Sequence, residues 1–288
     1  MIERLLLFFI SLITVASNSY GGEPVAGYPQ RVVSINLCTD ELAILLSKPG
    51  QLVSVTTLVK DPQLSRYWQL AKRYRSHKVS LEQIISLKPN LVLASQYTPK
   101  AIRQRLIRLG YRLYILPEAK TISQVKKNII ALGVQLGNKD KADRLVTKIE
   151  RQLNAFDSVS RVKKNKLLDI LIYLPGGTSR SDKGLLNQLV EKAGMRNLAI
   201  KKGYSGWHPV SIEQLLRWDP DFLMVIQTES SARSVAKELL THPAIQYYQK
   251  QNRLIAIPTQ WISCGNPSMV KTLNRLTRFR ERFLLERR

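Results

Sequence analysis

Val79-Ser80-Leu81-Glu82-Gln83-Ile84-Ile85-Ser86-Leu87-Lys88-Pro89-Asn90-Leu91 returns in altered form as Val210-Ser211-Ile212-Glu213-Gln214-Leu215-Leu216-Arg217-Trp218-Asp219-Pro220-Asp221-Phe222, a constant 131 positions on. Self-similarity on this scale decides architecture before any single element is read. Each copy is a short amphipathic helix stopped by proline that leads into an apolar strand, Val92-Leu93-Ala94 in one and Leu223-Met224-Val225-Ile226 in the other. Further on, Arg112-Leu113-Tyr114-Ile115-Leu116-Pro117 is answered by Arg253-Leu254-Ile255-Ala256-Ile257-Pro258. The chain therefore reads as two related lobes.

Outward from the repeat, β-branched runs alternate with amphipathic stretches, the pattern of βα units and mainly parallel sheets. Arg31 to Ile35 reads as the first strand, Glu41 to Leu46 as a helix capped by Asp40 or Thr39, and Leu52 to Val55 as the second strand. Between the lobes the rhythm changes. Ile129, Leu132 and Leu136, then Ala142, Leu145, Ile149 and Leu153, follow helical spacing, broken near Gly137-Asn138, with one long uninterrupted helix over 139–156. The expected organisation is an N-terminal α/β lobe over 23–121, a helical segment with a rigid bridging helix over 122–160, and a C-terminal α/β lobe over 161–288.

Composition sets the compartment and limits the partners. The 288 residues are 44% hydrophobic, which excludes a disordered chain, and 45 Lys+Arg against 21 Asp+Glu give a net charge of +24. That balance favours anionic partners without choosing among nucleic acid, acidic membrane and anionic ligand. After Arg4, the apolar run Leu5–Ala16 gives way to Ser17-Asn18-Ser19-Tyr20-Gly21-Gly22. This reads as a signal peptide over 1–22, the alternative being an N-terminal anchor. No Cys follows the run to mark a lipid anchor. A soluble, exported protein is expected, and export argues against nucleic acid. Seven basic and two acidic residues from Lys271 to Arg288 form the densest cationic patch.

In open α/β sheets, ligands bind beyond the carboxyl ends of the strands. The loops there hold Asn36-Leu37-Cys38-Thr39, Thr56-Thr57-Leu58, Ser95-Gln96-Tyr97-Thr98, Gly176-Gly177-Thr178, Gly203 to His208, Gln227-Thr228-Glu229 and Trp261 to Asn266. Flat aromatics among a few polar groups suit a sizeable organic ligand. The candidate ligand-binding residues are Trp207, Tyr204, Trp261, Tyr97, Cys38, Thr39, Arg180 and His208. For each aromatic, half-buried packing is the competing role, and for Arg180 an ordinary surface position.

At this point Arg31-Val32-Val33-Ser34-Ile35-Asn36-Leu37-Cys38-Thr39-Asp40-Glu41-Leu42, the stretch Ser80 to Ser95, the bridging helix and Trp261-Ile262-Ser263-Cys264-Gly265-Asn266-Pro267 resemble the periplasmic binding proteins that feed cobalamin and ferric siderophores to ABC importers. The resemblance covers nearly all of the mature chain. It implies two Rossmann-like lobes joined by one long helix, a ligand cleft between them and modest closure. It also implies that Glu82 and Glu213, one per lobe, pair with arginines of a dimeric inner-membrane permease. Their alternative role is to complement the dipoles of the helices they open. Trp207 falls where cobalamin-binding relatives present a Trp to the ligand. The reading is then a monomeric periplasmic receptor without cofactor or catalysis, its ligand a corrinoid or ferric siderophore.

Two cysteines in an oxidising compartment most often pair, so Cys38 and Cys264 are expected to clip one lobe to the other; two free thiols lining the cleft are the alternative. His77, His208 and His242 are too few and too scattered for a zinc or manganese centre. Haem or metal capture on the same fold is kept as an alternative ligand reading. From other classes, Cys38 with His208 as nucleophile and base lacks an orienting third residue, and a basic secreted polyanion binder would show salt-sensitive binding.

Overall fold

A computed structural model describes residues 27–157, 167–174, 176–227 and 241–286. The expected signal peptide, and part of the loop after Gln227, lie outside these residues. In chain order the N-terminal lobe holds β1 (Val32–Ser34), α1 (Leu37–Leu46), β2 (Leu52–Thr56), α2 (Trp68–Ala71), β3 (Arg75–His77), α3 (Leu81–Ser86), β4 (Leu91–Ser95), α4 (Lys100–Arg108) and β5 (Leu113–Leu116). The hairpin α5 (Ile122–Gln135) and α6 (Lys139–Asn154) follows. The C-terminal lobe holds β6 (Leu168–Leu174), β7 (Thr178–Arg180), α7 (Leu185–Lys192), β8 (Met195–Asn197), α8 (Leu198–Lys201), β9 (Trp207–Pro209), α9 (Ile212–Trp218), β10 (Phe222–Gln227), α10 (Pro243–Lys250), β11 (Leu254–Pro258) and α11 (Met269–Glu286).

The first sheet runs β3-β2-β1-β4-β5, parallel throughout. The second runs β11-β10-β6-β7-β9, with β8 beside the first half of β6. The repeat lies at the same place in both: α3 feeds β4 next to central β1, and α9 feeds β10 next to central β6. Its details recur atom by atom. Ser80 accepts from the Gln83 amide and Ser211 from the Gln214 amide, each satisfying an otherwise orphaned N–H at its helix start. Asn90 accepts from the Arg31 amide and Asp221 from the Asp169 amide, tying each copy to its central strand.

Two expectations are corrected. The first helix begins at Leu37, because Asn36 caps it by accepting from the Cys38 amide, so Thr39 and Asp40 are buried inside the helix instead of capping it. The second sheet is also mixed where loops were expected. Gly176 and Gly177 take positive φ and turn the chain into β7, antiparallel to β6, and β9 pairs antiparallel with β7. Three-residue strands are too short to show a period of two.

Side chains alternate across the strands, so Leu91 and Leu93 face one layer while Val92 and Ala94 face the other. One continuous apolar core runs through both lobes. Val32 and Leu42 from the first lobe, Ile129, Leu132 and Ile149 from the hairpin, and Ile170, Phe222, Leu273 and Leu276 from the second belong to it. At about 1.5 Å per residue, the 16 residues of α6 span about 24 Å.

Candidate functional site: a cleft between the lobes

Cys38, in the first turn of α1, is bonded to Cys264 beyond β11, with their Cα atoms 5.2 Å apart. This decides between the two readings of the cysteines in favour of the pair. It also removes Cys38 as a nucleophile. Further bonds cross the junction: Glu41, which also accepts from the Ser65 hydroxyl of its own lobe at 2.6 Å, accepts from the Asn266 amide, and Gln260 donates to the Pro62 carbonyl at 3.0 Å. The segment after β11 is thereby fastened to the first lobe.

Beside this fastening lies a cavity of about 340 Å³. The first lobe contributes Tyr97, Leu116, Pro117, Glu118 and Lys120; the second contributes Leu174, Arg180, Leu185, Leu186, Leu189, Trp207, Ile226, Trp261, Ile262 and Met269. Its walls are mainly apolar, and its large aromatics come from both sides. Tyr97 and Trp207, 65% and 64% exposed, face the cavity from opposite lobes and leave ring surface free for a ligand. Tyr97 follows β4 in a turn where Ser95 Oγ accepts its amide and Thr98 Oγ1 accepts the amide of Ser95. Trp207 opens β9, with the Arg180 guanidinium 5.4 Å from its ring centroid. Arg180 in turn pairs with Asp182 at 2.7 Å, which fixes its planar head over the indole.

Of the eight candidate residues, the cavity gathers Trp207, Trp261, Tyr97, Cys38 and Arg180. Thr39, Tyr204 and His208 do not line it. The Thr39 hydroxyl is buried against Ser34 at 2.7 Å. His208 is buried against the Ser181 hydroxyl at 3.0 Å, and Tyr204 stacks on the outside of its ring at 4.4 Å. Alternation in β9 explains this, since it turns His208 away from the side that Trp207 faces. Glu118 and Lys120 were missed. They lie in the loop after β5, which the strand-end rule would have included, and Glu118 accepts from Gln96 at 3.2 Å. Leu185, Leu186 and Leu189 enter from α7, where nothing in the sequence separates a cleft wall from core.

Glu82 and Glu213 stand exposed in the first turns of α3 and α9, at matching places on the two lobes. A hydrogen bond from the Ser211 side chain holds the Glu213 carboxyl below its usual range. Among the described residues, no cluster of His, Cys, Asp or Glu could hold a metal ion, and no helix is long and apolar enough to cross a membrane.

The sequence profile of the family described as periplasmic binding protein matches residues 32–259. A Vitamin B12-binding protein of Pectobacterium atrosepticum is 24% identical over 248 residues, covering 84% of this chain and 85% of its own length. An uncharacterized ABC transporter substrate-binding lipoprotein of Bacillus subtilis is 21% identical over 271 residues, 92% of this chain and 84% of its own. Among solved structures, a periplasmic heme-binding protein of Roseiflexus sp. RS-1 in apo form superposes with a TM-score of 0.71 and 22% identity, covering 87% of this chain and 97% of its own.

Proposed function

The chain belongs to the periplasmic binding protein family, and from that premise we propose that it is the exported receptor of an ABC importer, capturing a corrinoid in the cleft and delivering it to an inner-membrane permease. The observation that carries this is the pair of exposed aromatics, Tyr97 and Trp207, presented by opposite lobes onto an apolar cavity. A flat, largely apolar macrocycle would cover both rings and leave its polar rim to Arg180, Glu118 and Lys120. A small inorganic anion or bare metal would leave those walls wet. The B12-binding relative supports the choice. Because Arg180 and Lys120 line the cavity, an anionic ferric siderophore is the second reading. No residue is asked to make or break a bond. Glu82 and Glu213 serve as the two permease anchors, one per lobe.

Tryptophan-fluorescence titration with cyanocobalamin, haemin and a ferric hydroxamate tests the ligand. Saturable quenching by cyanocobalamin is expected, and Trp207→Ala should weaken it by about tenfold or more through lost stacking and burial. Saturation by the ferric hydroxamate alone would replace the corrinoid with the siderophore reading, saturation by haemin alone would replace it with haem, and unchanged affinity in the variant would return Trp207 to a packing role.

A further inference from the structure

Outside the cleft, α11 carries Lys271, Arg275, Arg278 and Arg282 on one stripe, three or four residues apart. With Trp261, Asn274 and Phe279 they line a groove of about 470 Å³. Trp261 lines both this groove and the cleft, so one indole divides two cavities. Arg275 is built in: its guanidinium lies 4.7 Å from the Trp261 ring centroid and donates to the Ala256 carbonyl on edge strand β11 at 2.5 Å. The Lys271 ammonium stands 5.8 Å from the same ring, and its affinity for a proton is lowered by burial and by Arg66 from the other lobe.

None of the ion pairs formed between described residues uses these four cations, whereas Lys126 and Lys139 on α5 and α6 each hold a carboxylate. Glu281 and Glu286, the acids of α11, do not line the groove. Like charges at helical spacing repel one another. A concave site that concentrates them against an aromatic wall gains most from an anion that bridges several at once.

We propose that the groove between Trp261 and the cationic stripe of α11 is a second binding site, for a compact oligoanion such as a polyphosphate group. Guanidinium forks match phosphate oxygens in pairs, and Lys271 adds a point charge. The site shares Trp261 with the cleft as a dividing wall and does not depend on the corrinoid reading.

Calorimetric titration of the protein with sodium tripolyphosphate, at low and at higher salt, tests it. One saturable, salt-weakened site per chain is expected. The variant Lys271→Gln/Arg278→Gln/Arg282→Gln, which spares Arg275, should lose about tenfold or more of that affinity. The control Lys72→Gln/Arg73→Gln/Arg75→Gln removes as much charge from another cationic face and should bind as before. Thermal melting of both variants checks that the fold is kept, and cyanocobalamin titration reads the cleft separately. Absence of saturation, or equal loss in both variants, overturns the site by reducing the binding to diffuse surface charge.

Discussion

Asp40 and Glu41 are adjacent carboxyls buried where the first helix meets the rest of the molecule. Burial is the largest influence on each, pushing Asp40 from 3.8 and Glu41 from 4.5 up to about 7, against hydrogen bonds from Thr56 to Asp40 and from Ser65 and Asn266 to Glu41. Both hold their protons more tightly folded than unfolded. Between the unfolded and folded values the native state therefore binds more protons, and stability falls as pH rises through that window. The urea midpoint is expected to drop between about pH 4 and about pH 7, and Asp40→Asn should make the profile less steep, Glu41 keeping the rest. An equally steep profile in the variant would place the effect elsewhere. The sequence could not show this. Acids at the start of an amphipathic helix look like exposed caps; packing of α1 on its own sheet encloses Asp40 beside Thr56, and Asn266 from the second lobe arrives opposite Glu41.

At the scale of elements, the α5–α6 hairpin depends on a close approach that its periodicity does not announce. A Cβ on Gly133 would stand 2.4 Å from the Ala142 Cβ across the helix pair. Helix propensity alone predicts that Gly133→Ala stabilises α5 by about 0.5–1 kcal/mol. Overpacking predicts the opposite, a net loss of about 1–3 kcal/mol as the helices are pushed apart. Chemical denaturation reads the sign directly, and a stabilised variant would refute the close packing. The two helices and the break near Gly137-Asn138 were legible, since Ile129, Leu132, Ala142 and Ile149 fall at helical spacing and all are buried; that they fold back on each other was not. So were the longer parallel strands, whose apolar runs stand out between amphipathic stretches. What stayed hidden were the three-residue strands β3, β7, β8 and β9, because pairing with a neighbour, and not their own residues, makes them strands. That also cost the site its accuracy: with β9 read as loop, Trp207 and His208 seemed to share a face, and only the first reaches the cleft.

For the whole molecule, the repeat and the fastening between lobes combine into one argument. The Cys38–Cys264 bond closes a separation of 226 residues, worth about 5 kcal/mol in a chain-entropy account, and the apolar core continues through both lobes beside it. Lobes joined in this way resist large opening, so the distance between Glu82 and Glu213 is set by the fold and not by the ligand. Two carboxylates at equivalent places on the two lobes would suit a partner with two equivalent subunits. The 131-residue offset equates the two glutamates in the sequence and the family resemblance alone implies their anchoring role; their exposure needed the structure. If the two glutamates anchor a permease as proposed, Glu82→Arg/Glu213→Arg should abolish uptake into cells or permease-bearing vesicles, since the reversed charges would repel the cations the carboxylates pair with. Each single reversal should reduce uptake less than the double. Cyanocobalamin affinity of the isolated receptor should stay unchanged, because neither glutamate lines the cleft. Full uptake by the double variant would reduce both glutamates to partners of their own helix dipoles, and lost cyanocobalamin affinity would show that they act on the cleft and not on the permease.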